Sequence, residues 1–168
     1  LVSFEDDGPT VSLTTASFSL DDEGLFGGIA GAPVGDVSGE HTVVTGTLNF
    51  AAGADGLKSI VLSGPTQLGV ETVTSVWNVA DNTLTISSVR GDLMTVQLTN
   101  PVTGAYTATL LKPLKHAAGE NENDIVLNVG YTITDGDNDK ASGILVVNID
   151  DDVPQANPDT IISGAAGT

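Results

Sequence analysis

Carboxylates are the residues of this chain best suited to chemistry, and their spacing is uneven. Fifteen of the 22 acidic residues fall in five triplets: Glu5-Asp6-Asp7, Asp21-Asp22-Glu23, Glu120/Glu122/Asp124, Asp135/Asp137/Asp139 and Asp150-Asp151-Asp152. The stretches between triplets are almost uncharged, whereas a solubilising surface intersperses both signs along its elements. Carboxylates this close repel one another unless a cation sits among them. Hard divalent cations with oxygen ligands, calcium above all, meet that demand. A solvated acidic loop explains any one triplet; five together favour cation binding.

The most metal-like segment is Thr134-Asp135-Gly136-Asp137-Asn138-Asp139-Lys140. Its alternate acids can converge on one centre where Gly136 and Asn138 allow sharp bends. The segment resembles the first half of an EF-hand loop, but position six is Lys140 rather than Gly. Position twelve is Val146 rather than a bidentate Glu. Calcium takes six to eight oxygens, so a second segment must contribute.

Positioning these acids falls to strands. Apolar residues alternate with polar ones in Ile125–Ile133, where Ile125, Leu127, Val129, Tyr131 and Ile133 share one face. The same period of two joins Val44, Gly46, Leu48 and Phe50; Leu84 and Ile86; and Met94, Val96 and Leu98. It recurs in Tyr106, Ala108 and Leu110, and in Leu145, Val147 and Ile149. Such patterning puts one face on a core and one in water. Turn chemistry separates the runs at 80–82, 90–92 and 100–104, and no helical stripe with caps occurs. Gly24 to Gly39 reads as a long irregular connection, and Trp77 as a core aromatic. The expected fold is all-β, an immunoglobulin-like antiparallel β-sandwich.

In a seven-strand sandwich of that kind the last hairpin returns to the end where the chain enters. Asp135, Asp137 and Asp139 are then expected beside Glu5, Asp6 and Asp7. Asp150, Asp151 and Asp152 leave from the opposite end, toward the equivalent hairpin of a following module. These nine residues are the expected metal ligands. Asp21–Glu23 and Glu120–Asp124 belong at the exit end, where cation binding and plain solvation weigh evenly.

A near-repeat supports a modular reading. Phe4-Glu5-Asp6-Asp7-Gly8-Pro9 matches Ile149-Asp150-Asp151-Asp152-Val153-Pro154 position for position, at an offset of 145 residues. Leu1-Val2-Ser3 likewise aligns with Val146-Val147-Asn148. One copy of a tandem repeat, cut from boundary to boundary, has this form. Residues 1–9 then close a preceding repeat and carry a calcium-binding linker. Residues 10–149 form the sandwich, and 150–168 form a linker and the start of the next repeat.

Several of these segments together resemble a known family. They are Leu114-Lys115-His116, Glu120 to Asp124, Gly130 to Asp139, Ala141 to Ile149 and Asp150-Asp151-Asp152-Val153-Pro154. The run is similar to the tandem repeats of giant RTX adhesins exported by bacterial type I secretion. The likeness covers Gly104 to Pro154, with support from Phe4–Pro9 and Leu20–Glu23; residues 24–100 match only in general style. The chain departs in having Lys115 where an acid is expected before His116, and Asn138 where Gly is usual. The resemblance implies an extracellular extender module at the bacterial cell surface. Its partners would be neighbouring repeats of the same polypeptide, with calcium stiffening the junctions and aiding folding after export. The parent protein would carry a host or surface ligand. The glycine-rich nonapeptide of RTX secretion regions is absent.

Composition narrows the rest. With 168 residues, one domain is the usual content. Five basic residues against 22 acidic ones leave a net charge of −17, which repels phosphate backbones and anionic lipid. Nucleic-acid binding and membrane insertion are therefore not expected, and no apolar run reaches the length of a membrane span. There is no cysteine, and His41 and His116 are the only histidines; both read as surface residues. No Gly-x-Ser-x-Gly elbow or His-Glu-x-x-His helix occurs, so an enzyme ranks last. Arg90-Gly91-Asp92 fits a hairpin turn better than a recognition tripeptide. The rival function is an adhesion domain for a glycan or peptide, which a pocket with Trp77 or Tyr106 beside the cation site would favour. The extender reading predicts no open pocket and acids gathered at two ends.

Overall fold

A computed structural model describes residues 7–22, 24–26, 41–117 and 124–150. No helix occurs among them. The first strands are short: β1 (Thr10–Val11), β2 (Thr14–Thr15) and β3 (Leu20–Asp21). Next come β4 (Val43–Thr47), β5 (Phe50–Ala51), β6 (Leu57–Ser63), β7 (Gln67–Leu68) and β8 (Glu71–Thr72). The remainder are β9 (Thr74–Asn78), β10 (Thr83–Ser88), β11 (Gly91–Asn100), β12 (Ala105–Leu110), β13 (Ile125–Asp135) and β14 (Lys140–Asp150).

Two sheets form a β-sandwich. One has the order β4-β12-β11-β10-β9, and the other β2-β14-β13-β6 with β3 also on β14. Two differences from the seven-strand expectation stand out. β9 and β10 extend the first sheet to five strands, more than a seven-strand sandwich has in either sheet. The entering strand is broken into β2 and β3, which run parallel to β14, while the remaining pairs are antiparallel.

Alternation explains the core. Every second residue of β13 from Ile125 to Ile133 is buried, as are Leu145, Val147 and Ile149 of β14. Leu84 and Ile86, then Met94, Val96 and Leu98, and Tyr106, Ala108 and Leu110 face them from the other sheet within one cluster. Burying such side chains contributes about 1.5–3 kcal/mol each before chain entropy is counted. Each sheet seats a tyrosine over a cross-strand glycine: Tyr106 opposite Gly46, and Tyr131 opposite Gly143. The Tyr131 hydroxyl donates to the carbonyl of Ser12 at 2.6 Å and lies 3.1 Å from that of Asn49. It thereby holds the entering chain on the sandwich. Burial raises the Tyr106 pKa.

Candidate metal centre

The β13–β14 hairpin builds its turn from its own acids. Asp139 N–H donates to Asp135 Oδ1 at 2.7 Å, and Asp135 N–H donates to the Asp139 carbonyl at 3.1 Å. Asn138 adopts φ +86°, a left-handed conformation that asparagine tolerates better than most residues. Lys58 of β6 donates to its side-chain oxygen. Gly136 is needed for space rather than for a bend. A β-carbon there would lie 2.5 Å from the Asp55 carbonyl oxygen of the 52–56 loop.

Asp135 ends β13 fully buried, while Asp137 and Asp139 are exposed. One carboxylate oxygen from each lies within 4.8 Å of the other two. Oxygens on opposite sides of a calcium ion are about 5 Å apart, given Ca–O distances of about 2.3–2.6 Å. One ion can therefore reach all three. Burial, and then the apposed Asp137, raise the Asp135 pKa, partly offset by the backbone N–H groups of Asp139 and Asn138. The second oxygen of Asp135, Oδ2, is buried and receives no hydrogen bond from the described residues. An acceptor left bare beside another carboxylate is relieved by a cation, or by a proton shared with Asp137, the direction in which its pKa is moved. The donors are all oxygens, which fits calcium rather than a soft metal.

The entering chain reaches this turn. A β-carbon at Gly8 would lie 3.5 Å from Asp139 Oδ2, and one at Gly53 would lie 2.1 Å from the Asp7 carbonyl oxygen. Residues 7–8 thus sit between the 52–56 loop and the hairpin. Asp7 is exposed there. Glu5 and Asp6 lie outside the described residues, as do Asp151 and Asp152. Sequence reasoning missed the 52–56 loop, although Gly53-Ala54-Asp55-Gly56, an acid bracketed by glycines ahead of a strand, was a usable signal.

Asp150 is at the other pole. It is 5% exposed and pairs across the parallel β3–β14 edge with Asp21, itself 4% exposed. Asp22 is 2% exposed, and its Oδ2 accepts the Leu114 N–H at 3.0 Å and lies 3.3 Å from His116 Nε2. His116 is therefore no ordinary surface residue; its side chain is 6% exposed because Asp22 draws it inward. Asp124 is exposed, and Glu23, Glu120 and Glu122 lie outside the described residues.

Arg90-Gly91-Asp92 lies at the β10–β11 hairpin turn, as expected, but Arg90 also has a partner that was not foreseen. It forms an ion pair with Glu71 through Nε at 2.7 Å and through its terminal nitrogen, which also donates to the Pro113 carbonyl at 2.9 Å. Asp92 accepts from the Ser87 hydroxyl. Trp77 packs against the core only in part, whereas Tyr106 is 2% exposed and unavailable to a ligand. No family model, curated protein or solved structure matches this chain.

Proposed function

We propose that this chain is an immunoglobulin-like extender module of a bacterial surface adhesin, exported by type I secretion and working outside the cell. Calcium at its poles stiffens the junctions between tandem repeats. The observation that carries this reading is the meeting of Asp7–Gly8 with the hairpin whose buried Asp135 oxygen has no donor among the described residues. A cation held there by Asp135, Asp137 and Asp139 would lie against the linker backbone at Asp7–Gly8, although the Asp7 carboxylate is not one of the three that converge, and would couple the angle between modules to metal occupancy. The acids of Asp21, Asp22 and Asp150 at the far pole fit a module that abuts a neighbour at each end. Extracellular calcium sites have Kd of about 10⁻⁴–10⁻³ M, so such a module gains its stiffness only after export.

The test is small-angle X-ray scattering on two copies joined at the 145-residue offset. Adding calcium should lengthen the maximum dimension and narrow the distribution of shapes. A scattering curve that is the same with calcium and with chelator would remove the junction role.

A further inference from the structure

A groove of about 300 Å³ opens between the two sheets on the side away from β14. β6 and β9 are the last strands of their sheets, and among the described residues each has a main-chain partner on one side only. They close together at one end, where Ser75 donates to the Pro65 carbonyl at 2.7 Å and its hydroxyl would touch a β-carbon on Gly64. Toward the other end they part. The groove there is lined by five consecutive residues, Leu57 to Val61, facing Trp77 and Val79, with Asn82 and Val102 at its mouth. Five consecutive lining residues mean that β6 presents its edge, with alternate backbone N–H and C=O groups directed into the opening.

The rim is apolar and unusually bare for a chain of this charge. Val79 and Val102 are each 74% exposed and Val61 is 42% exposed. Among the described residues no acidic one lines the groove, and Lys58, the charged one, is engaged by Asn138. Two exposed acids adjoin the lining in sequence, Asp55 two residues before Leu57 and Asp81 next to Asn82. An edge strand seven residues long, with a single lysine as gatekeeper, is a surface that pairs with another strand unless it is covered.

We propose that this groove binds an extended peptide that adds to the β6 edge, sets alternate apolar side chains against Trp77, Val79 and Val102, and carries basic residues at the Asp55/Asp81 end. The free edge supplies main-chain hydrogen bonds, and the wedge between the sheets supplies side-chain pockets. Charge decides the rest. A second copy of this chain would bring another net −17 and be repelled, whereas a basic segment is drawn in. A glycan would find one partly buried indole and a rim of valines, with few polar groups to orient hydroxyls. The proposal does not depend on calcium at the hairpin, but the open groove departs from the expectation that an extender module has none.

The chain has one tryptophan, so its emission reports the groove directly. The probe is a heptapeptide, KVTVTVK, blocked at both ends, titrated while Trp77 fluorescence and backbone amide resonances are followed. The expected result is a saturable blue shift, with amide changes confined to residues 57–61 and 74–79. Binding should weaken about tenfold or more in Val79→Ser/Val102→Ser, which removes the apolar rim without adding charge. Both positions are exposed, so an unchanged melting temperature would show that the variant folds. The peptide EVTVTVE should bind more weakly than KVTVTVK. No saturable response, an equal response in the variant, or amide changes at the acidic poles instead would overturn the proposal. A response to galactose or glucose without one to KVTVTVK would also overturn it, in favour of a glycan site.

Discussion

Replacing Asp135 by asparagine separates the metal reading from a purely structural one, because the two predict opposite signs. The substituted amide would keep an oxygen to accept the Asp139 N–H now held at 2.7 Å. It would place a donor where Oδ2 receives none, facing Asp137. Without metal, Asp135→Asn should therefore leave the melting temperature unchanged or raise it, since a buried charge beside a like charge is removed. With metal the order reverses. A site with Kd of about 10⁻⁴–10⁻³ M stabilises by about 1.4–2.7 kcal/mol at about 10 mM calcium. For a chain of 168 residues, about 2–4 °C per kcal/mol makes this a rise of about 3–11 °C. The assay is thermal unfolding of both proteins in chelator and in calcium, with magnesium at equal ionic strength as control. Wild type should rise and Asp135→Asn should barely move. An equal rise in both would refute the hairpin as the site. A marked loss of stability in the variant without metal would refute the claim that the bare oxygen awaits a cation.

The Glu71–Arg90 pair, with side chains 8% and 29% exposed, should make Glu71→Gln about 2 kcal/mol less stable in denaturant melts at neutral pH. Arg90 lowers the Glu71 pKa from its ordinary 4.5. The pair's contribution is thus complete above that value and fades as pH falls through the folded state's lower pKa, where wild type and variant should converge. Gly143→Ala would set a β-carbon 2.5 Å from the Tyr131 ring. That ring is pinned by its hydroxyl, so the change should cost about 1–3 kcal/mol by urea unfolding. Asp22→Ala removes the acceptor for Leu114 N–H and the partner of His116. It should cost about 1.5–3 kcal/mol and speed amide exchange at Leu114.

Inward and outward positions were legible in β4 and in β10 to β14, while β6, seven residues long, went unread. Ile125–Ile133 shows why: a period of two over nine residues leaves one way to bury an apolar face, and a slip of one residue would expose it. The hairpin was legible for the same reason, since Asp135 to Asp139 interrupts two such runs. Short pieces were not. β1, β2, β3, β5, β7 and β8 are two residues each, too brief to show a period. The broken, parallel entry of the chain could not be read, nor could Trp77's place on the last strand of a sheet. His116 was misjudged in a related way, and the Glu71 partner of Arg90 was not foreseen. Each owes its burial to an acid distant in sequence, Asp22 and Glu71, and no local pattern announces such a pairing.

Composition and alternation alone determined an all-strand chain, its apolar face and the crowding of acids into turns, because these follow from each residue's neighbours two positions away. Tertiary structure decided which turns meet. It set residues 7–8 and the Asp55 carbonyl against the Asp135–Asp139 hairpin, drew His116 onto Asp22, and left the β6 and β9 edges open around Trp77. Those outcomes depend on how two twisted sheets close at one side and part at the other, a property of the whole sandwich rather than of any segment.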